Sequence, residues 1–402
     1  MTELPNTVQN KVVTQRIIGH LTGAEPGPTT VFVGGLHGNE PAGVIALQQL
    51  MQELKQENIT IKGNIYAVAG NLWALRHGQR FQQEDLNRLW TLPTIKKLIA
   101  GNYNPSENED RKEQCELYDT FSEIVKNETG PFYFFDLHTT SSRTIPFITV
   151  NDNLLNRRFT SQYPVPIILG IEEYLVGPLL SYVNELGYVA FGFEGGQHDD
   201  PQAVINHKAF SYLSLAFSGC IPQTAVQVKR SETILRDQSK EKRGFFEIFH
   251  HYPLQKTDTF IMEPGFTNFQ SIGKGQLLAH KNGKPIIARY KGEIFMPLYQ
   301  QQGRDGFFVV RSIPKVFMHL SRWLRKLHVD ALLPILPGVR WQSKKKDTLI
   351  VDIRIARFFT KDFFHLLGYR SREIDRFHIL MKNREKAAKT AAYKDTEWYS
   401  RN

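Results

Sequence analysis

The stretch Thr30-Val31-Phe32-Val33-Gly34-Gly35-Leu36-His37-Gly38-Asn39-Glu40-Pro41-Ala42-Gly43 passes from a β-branched and aromatic run into glycines, then into the apolar-periodic segment Val44–Leu54. It reads as a strand, a sharp turn and a helix. The apolar run is continuous rather than alternating, which predicts a strand buried on both faces, as in sheets covered by helices. Glycines let the backbone turn tightly and present side chains at the strand's C-terminal end, the edge where open α/β sheets bind ligands. The same grammar recurs downstream. Asn64–Ala69, Phe132–Leu137, Pro146–Val150 and Tyr188–Phe193 read as strands, and Glu113–Lys126 and Gln202–Ala216 as helices. Their alternation predicts an α/β layered domain over residues 1–240. Within it, residues 92–112 are polar and rich in turn formers, and predict a surface excursion.

From Gly244 to Ser312 the chain breaks into short strand-like pieces separated by Gly, Pro and Asn, which predicts a small β domain over residues 241–312. Residues 313–402 read as a basic α+β C-terminal extension. Ile313, Val316, Phe317, Leu320, Trp323, Leu324 and Leu327 recur at helical spacing, with Pro314 suited to the first turn. Lys315, His319, Arg322, Arg325 and Lys326 occupy the other faces. Such a stripe has three destinations: the small β domain, a second copy of the chain in a homo-oligomer, or an anionic surface. Thr348–Phe358 alternates charged and apolar residues like a strand, and Asp362–Lys386 reads as one or two helices with a basic face.

Composition narrows the function classes. The 402 residues are 41% hydrophobic and 22% charged, which excludes global disorder and collagen-like architecture. The formal net charge of +10 is unevenly spread. Residues 311–402 hold 21 Lys+Arg against 9 Asp+Glu, and residues 1–310 hold 29 against 31. The excess therefore concerns partners of the extension and not a substrate bound upstream. No zinc knuckle, RNA-binding aromatic signature or helix-turn-helix pattern occurs, so there is no firm nucleic-acid signal. Cys115 and Cys220 are too few for a disulfide framework or a Cys-based zinc site, and are expected as free thiols. The N-terminus is polar, and no stretch reaches the apolar length of a transmembrane segment; even Pro164–Leu180 is interrupted by Glu172 and Glu173. A cytoplasmic location is the expectation.

The chemistry-bearing residues cluster at predicted strand ends. His37 and Glu40 stand three apart on the first glycine turn, close enough for an imidazole nitrogen and a carboxylate oxygen to meet one ion. Phe-Phe-Asp136-Leu-His138-Thr-Thr brings a second histidine at the end of another strand. His, Glu and His with an open fourth position is the ligand pattern of catalytic zinc. Asp136 lies two residues before His138, on the same side of a strand, where it can orient a ligand histidine. Arg80-Phe-Gln-Gln-Glu-Asp-Leu-Asn87-Arg88 follows a third strand, and its arginines and asparagine suit a carboxylate or a polarised carbonyl oxygen. Phe191-Gly-Phe-Glu194-Gly-Gly-Gln-His198 presents a carboxylate suited to a general base, with His198, Asp199 and Asp200 as a second polar wall or a helix-start turn. Taken singly, each motif keeps a plainer account: a loop histidine, a solvated basic loop paired with Glu84 and Asp85, or a helix-capping acid.

Taken together and in this order, GGLHGNE, RFQQEDLNRLW, FFDLHTTSS and FEGG resemble the succinylglutamate desuccinylase/aspartoacylase family of the zinc-carboxypeptidase-like superfamily. The resemblance implies a zinc-carboxypeptidase-like mixed sheet flanked by helices, followed by a small β domain that narrows the active-site entrance. It implies that His37, Glu40 and His138 bind one Zn2+ ion and that Glu194 is the catalytic base and acid. It further implies that Arg80 polarises the scissile carbonyl and that Asn87 and Arg88 grip a substrate carboxylate. Tyr299 lies near where the family's β domain can contribute a tyrosine to the pocket. The implied activity is hydrolysis of a small N-acyl amino acid by Glu-assisted attack of metal-bound water. The alternatives are a zinc carboxypeptidase acting on peptides, or a scaffold that uses the basic C-terminal end. One departure concerns the substrate: aspartoacylases carry an arginine shortly before the catalytic glutamate, whereas Ser181–Gly187 contains none, with Asn184 at the nearest position.

Overall fold

The structure, a computed structural model, describes residues 15–57, 59–300, 302–342, 344, 346–356, 361–373 and 375–400. Up to residue 240 the elements are β1 (Ile17–Thr22), β2 (Glu25–Gly34), α1 (Ala42–Gln56), β3 (Lys62–Ala69), α2 (Leu72–His77), α3 (Leu92–Ile99), α4 (Glu109–Asn127), β4 (Phe132–Thr140), β5 (Phe147–Val150), α5 (Leu154–Thr160), β6 (Pro166–Leu169), α6 (Leu179–Glu185), β7 (Val189–Gln197), α7 (Pro201–Ser218) and α8 (Val226–Gln238). There follow β8 (Gly244–Pro253), β9 (Phe260–Met262), β10 (Gln270–Ile272), β11 (Leu277–Lys281), β12 (Lys284–Ile287), β13 (Gly292–Phe295) and β14 (Asp305–Ser312). The last are α9 (Lys315–Lys326), β15 (Val339–Trp341), β16 (Thr348–Asp352), α10 (Lys361–Leu366), β17 (Tyr369–Glu373), β18 (His378–Asn383) and α11 (Glu397–Ser400).

An 11-stranded mixed sheet in the order β1-β3-β2-β4-β7-β5-β6-β8-β14-β13-β10 organises the chain. Its centre, β3-β2-β4-β7, is parallel. Strand side chains alternate between two buried layers, as the continuous apolar runs require. Phe32, Phe135 and Phe191 pack with Leu47, Leu50 and Met51 of α1 and Phe210 of α7. Val31, Val33 and Phe134 face the other way, onto Leu117 and Phe121 of α4 and Val183 of α6. Large side chains so enclosed carry much of the stability: truncating Phe135 to alanine would cost about 3–5 kcal/mol.

Strands β8, β14, β13 and β10 extend this same sheet, and only β9, β11 and β12 form a separate three-stranded one. Residues 92–112 remain on the surface but are not structureless. Thr91 caps α3 by accepting from Thr94 N, Pro93 stands in its first turn, and Leu92 and Ile99 are exposed. Edge strand β1 lacks a long apolar run and carries no sequence signal of its own.

The extension holds a correction. Asp362–Lys386 does not continue as helices; α10 ends at Leu366, and β17 and β18 form a hairpin in the four-stranded sheet β15-β16-β18-β17. Gly368, with φ of +85°, breaks the helix, and the Asp375 carboxylate accepts from Phe377 N and His378 N to make the turn. Tyr369 and Met381 then bury against Leu349, Val351 and Phe364. Of the strand-like run Thr348–Phe358, β16 takes the first part, and Arg357 and Phe358 lie outside the described residues. The extension does not stay apart from the main body. Tyr393 donates to Phe132 O at 2.5 Å and accepts from Val189 N at 2.9 Å, and Trp398 donates to the Tyr133 hydroxyl at 2.9 Å.

A buried ion network ties the two parts together. Asp152 accepts from Arg157 at 2.8 Å, Arg325 at 2.9 Å and Arg384 at 3.0 Å. Arg384 also pairs with Glu172 at 3.1 Å and with Glu173, and Arg325 with Glu385 at 2.9 Å. Burial opposes ionisation of Asp152, but the three arginines outweigh it and hold its carboxyl well below the usual carboxylate range.

Candidate active site

The site sits at the C-terminal ends of β2, β4 and β7, the edge at which the glycine turns release their side chains. Gly38 is required by close approach: a Cβ there would lie 2.0 Å from the Ala74 backbone. That contact seats the turn bearing His37 and Glu40. Gly195 serves β7 in the same way, since a Cβ would lie 2.6 Å from the ring of His207. His207 is fully enclosed, and burial pushes its imidazole down to about 3, so it packs as a neutral ring under the strand end.

His37, Glu40 and His138 are all buried, and their ligand atoms lie within 4.8 Å of one another. His37 Nδ1 faces Glu40 Oε1 at 2.9 Å, and His138 Nδ1 faces Glu40 Oε2 at 3.0 Å. Each imidazole is held through its other nitrogen: His138 Nε2 by Asp136 at 2.6 Å, and His37 Nε2 by Asp85 at 3.0 Å. A carboxylate on the far nitrogen fixes a ligand histidine's tautomer and aims its free lone pair. Asp136 was legible from its place in the strand. The role of Asp85 was not, because its motif reads equally well as a loop acid; the structure brings it beneath His37 from a different segment. Burial works against the charge on Glu40, yet His37 and His138 together hold its carboxyl well below the usual range.

Arg80 reaches the same cluster, donating to Glu40 at 3.4 Å and Asp85 at 3.2 Å. Glu194 is paired in register with His138 across β4 and β7. Its carboxyl is pushed up to about 8, first by burial, with Glu40 and Asp136 adding to burial and His138 and Arg80 opposing it. Glu194 Oε2 is buried without a hydrogen-bond partner among the described residues.

Residues 26–211 match the family model for the succinylglutamate desuccinylase/aspartoacylase catalytic domain. Over those residues the chain is similar to that family's catalytic domain. It is 28% identical to a succinylglutamate desuccinylase of Photorhabdus laumondii over 140 residues, which is 34% of this chain and only 40% of that protein's own length. A succinylglutamate desuccinylase of Idiomarina loihiensis matches more broadly, at 22% identity over 72% of this chain and 85% of the relative. Among solved structures, a succinylglutamate desuccinylase/aspartoacylase from Rhodobacter sphaeroides superposes with a TM-score of 0.53 at 17% identity, covering 72% of this chain and 87% of the other, and so shares the fold.

The cluster opens into a cleft of about 770 Å3. Asn87 and Arg88 line it. Asn87 Oδ1 accepts from Leu179 N at 2.9 Å, which pins the start of α6, and its amide faces His138 Nε2 at 3.5 Å. Arg88 donates to Asn87 O at 2.9 Å and pairs with Asp305 at 3.7 Å. Tyr299 is not brought to the cleft. Its hydroxyl is spent on backbone, donating to Glu263 O at 2.7 Å and accepting from Phe266 N at 2.9 Å. The neighbouring Gln300 lines the cleft instead, accepting from Asn39 at 3.1 Å and facing His198 Nε2 at 3.2 Å. His198 is thus part of the polar wall, whereas Asp200 caps α7 by accepting from Gln202 N. Asn184 is buried and bonded to Leu180 O at 2.7 Å, Ala190 O at 3.0 Å and Asn156 at 2.6 Å, so that position is structural and does not touch the cleft.

Proposed function

We propose that this chain hydrolyses the amide bond of a small N-acyl amino acid, with one zinc ion held by His37, Glu40 and His138. The observation that carries the reading is the buried His-Glu-His cluster with the unpartnered Glu194 carboxylate beside it. The donor set fits zinc: two imidazole nitrogens and a carboxylate oxygen, each imidazole braced by a further carboxylate. The electrostatics also fit, since Glu40 and Asp85 are held ionised well below the usual carboxylate range and Glu194 lies near enough to Arg80 to act on it. Bound there, zinc supplies a Lewis acid for the scissile carbonyl and lowers the pKa of water.

The chain's own residues supply the rest. Glu194 accepts a proton from the attacking water and delivers it to the leaving amide nitrogen, so that water and amide become a carboxylate and a free amine. Burial serves this role, because a carboxyl held above its ordinary range accepts and returns a proton near neutrality. Arg80 is anchored by Glu40 and Asp85 and keeps a buried Nε–H without a partner among the described residues, a donor suited to the oxygen that gains charge. Arg88 is suited to the substrate's carboxylate, with Lys256 and Arg304 adding positive charge to the lining. Segments around residues 254–260 and 296–305 also line the cleft, which supports small acyl amino acids over peptides.

The test is a comparison of N-acyl amino acids, acidic and neutral, with short peptides as substrates of the same zinc-loaded preparation. Faster cleavage of peptides would overturn the reading in favour of a carboxypeptidase. Arg88→Ala is expected to raise KM roughly 10- to 100-fold with a much smaller change in kcat, because a charged hydrogen bond contributes about 1.5–3 kcal/mol. Steady-state kinetics on the best substrate checks this. A fall in kcat alone would move Arg88 from binding to the chemical step.

A further inference from the structure

Helix α9 is amphipathic, yet it is docked with its polar side inward. Ser321 and Arg325 are the buried residues of the helix. Arg325 reaches Asp152 at 2.9 Å, Glu385 at 2.9 Å, His365 O at 2.7 Å and Leu366 O at 3.1 Å. Ser321 donates to Leu366 O at 2.7 Å and accepts from Arg157 at 3.1 Å. These bonds fix the rotation of the helix about its axis. Most of the apolar stripe read from the sequence is therefore held outward: Val316 is 67% exposed, Trp323 59% and Leu327 55%, with Phe317 and Leu320 also exposed, while Ile313 and Leu324 at its margins pack against the body of the protein. The following turn adds exposed Leu332 and Ile335.

At 100° per residue, Val316, Leu320, Trp323 and Leu327 centre on one side of the helix, and Lys315, His319, Arg322 and Lys326 form a row along its edge. No Asp or Glu occurs from residue 311 to residue 329, and the extension as a whole holds 21 Lys+Arg against 9 Asp+Glu. Apolar side chains at the centre with lysines at the margin match an interface between hydrocarbon and anionic headgroups, where lysine stems lie along the apolar surface and their ammonium groups reach outward. A second copy would offer this helix the same positive charge and no acidic side chain from the facing helix. We infer that the outward face of α9 docks on an anionic membrane surface.

The test uses the full chain with vesicles of phosphatidylcholine alone and vesicles of phosphatidylcholine containing phosphatidylglycerol, read by co-sedimentation and tryptophan emission. Binding is expected on the anionic vesicles and not on the neutral ones, and it should weaken as salt rises. Leu320→Ser/Trp323→Ser and, separately, Lys315→Glu/Lys326→Glu are each expected to reduce it at least about tenfold. All four residues are exposed, so the thermal midpoint should not move. Trp323→Leu should keep most of the binding and lose the blue shift of the emission. Absence of binding, or equal binding to both vesicle types, overturns the inference. So does a concentration-dependent dimer in sedimentation velocity that Leu320→Ser/Trp323→Ser abolishes, since that would make a second copy the occupant.

Discussion

Glu194→Ala is expected to retain zinc and the fold and to lose turnover by about 10²–10⁴-fold, the range that positioned proton transfer contributes. The side chain is not one of the three clustered ligands, so metal content should stay at the wild-type level. Removing it also deletes a buried, unpartnered carboxylate oxygen from an acidic cluster, so stability should hold or rise. Glu194→Gln keeps the shape, cannot accept the proton, and should fall as far. Rates in parallel with metal analysis and thermal unfolding check this. Near-wild-type hydrolysis by either variant would remove Glu194 from the mechanism.

Arg384→Ala is expected to destabilise the protein by about 3–5 kcal/mol, the usual cost of leaving buried charges without their partner. Arg384 contacts Asp152, Glu172 and Glu173; Asp152 and Glu172 are buried, and the side chains of Arg384 and Glu173 are 8% exposed. Glu172 already has its carboxyl raised, first by burial, and Arg384 is the main influence opposing that rise. The pH dependence has a definite sign. Asp152 has a folded-state pKa below its unfolded value, so its contribution is present above about pH 4 and is lost as pH falls towards the folded value. The deficit of the variant should accordingly be largest near neutrality, where the carboxylates are charged, and should shrink on acidification. Urea unfolding at pH 7 and at about pH 3 measures it. A deficit below about 1 kcal/mol would mean that the network adds no more than a surface pair. Because Glu172 also lines the cleft, the variant further tests whether the extension supports the site it adjoins.

What could be read from sequence follows from where the determinants lie. The strand–turn–helix at Thr30–Leu54, its glycines and the continuous apolar strands are local signals, and the structure places them within a few residues of their expected limits. That His37, Glu40, His138 and Asp136 would meet was legible for the same reason: they stand at or near the ends of strands whose direction the chain announces. Asp85 was illegible because its partner His37 comes from another segment, and the backbone partners of the Tyr299 hydroxyl were illegible because they lie more than thirty residues away. The hairpin at 369–383 was missed because strongly basic alternation resembles a polar helix face until Gly368 and Asp375 are recognised as a stop and a turn. Helix α9 shows the limit most clearly. Its period was plain, but which face is buried depends on Asp152 and Glu385, far away in the chain.

The most direct test of the account is the release of free amino acid from a panel of N-acyl amino acids by the protein before metal depletion, after depletion, and after reloading with zinc. Turnover is expected to disappear with the metal, to return with one zinc per chain, and not to return in Glu194→Ala. Turnover that persists in the metal-depleted protein, or zinc-loaded protein that binds its ion and cleaves none of the panel, would contradict it.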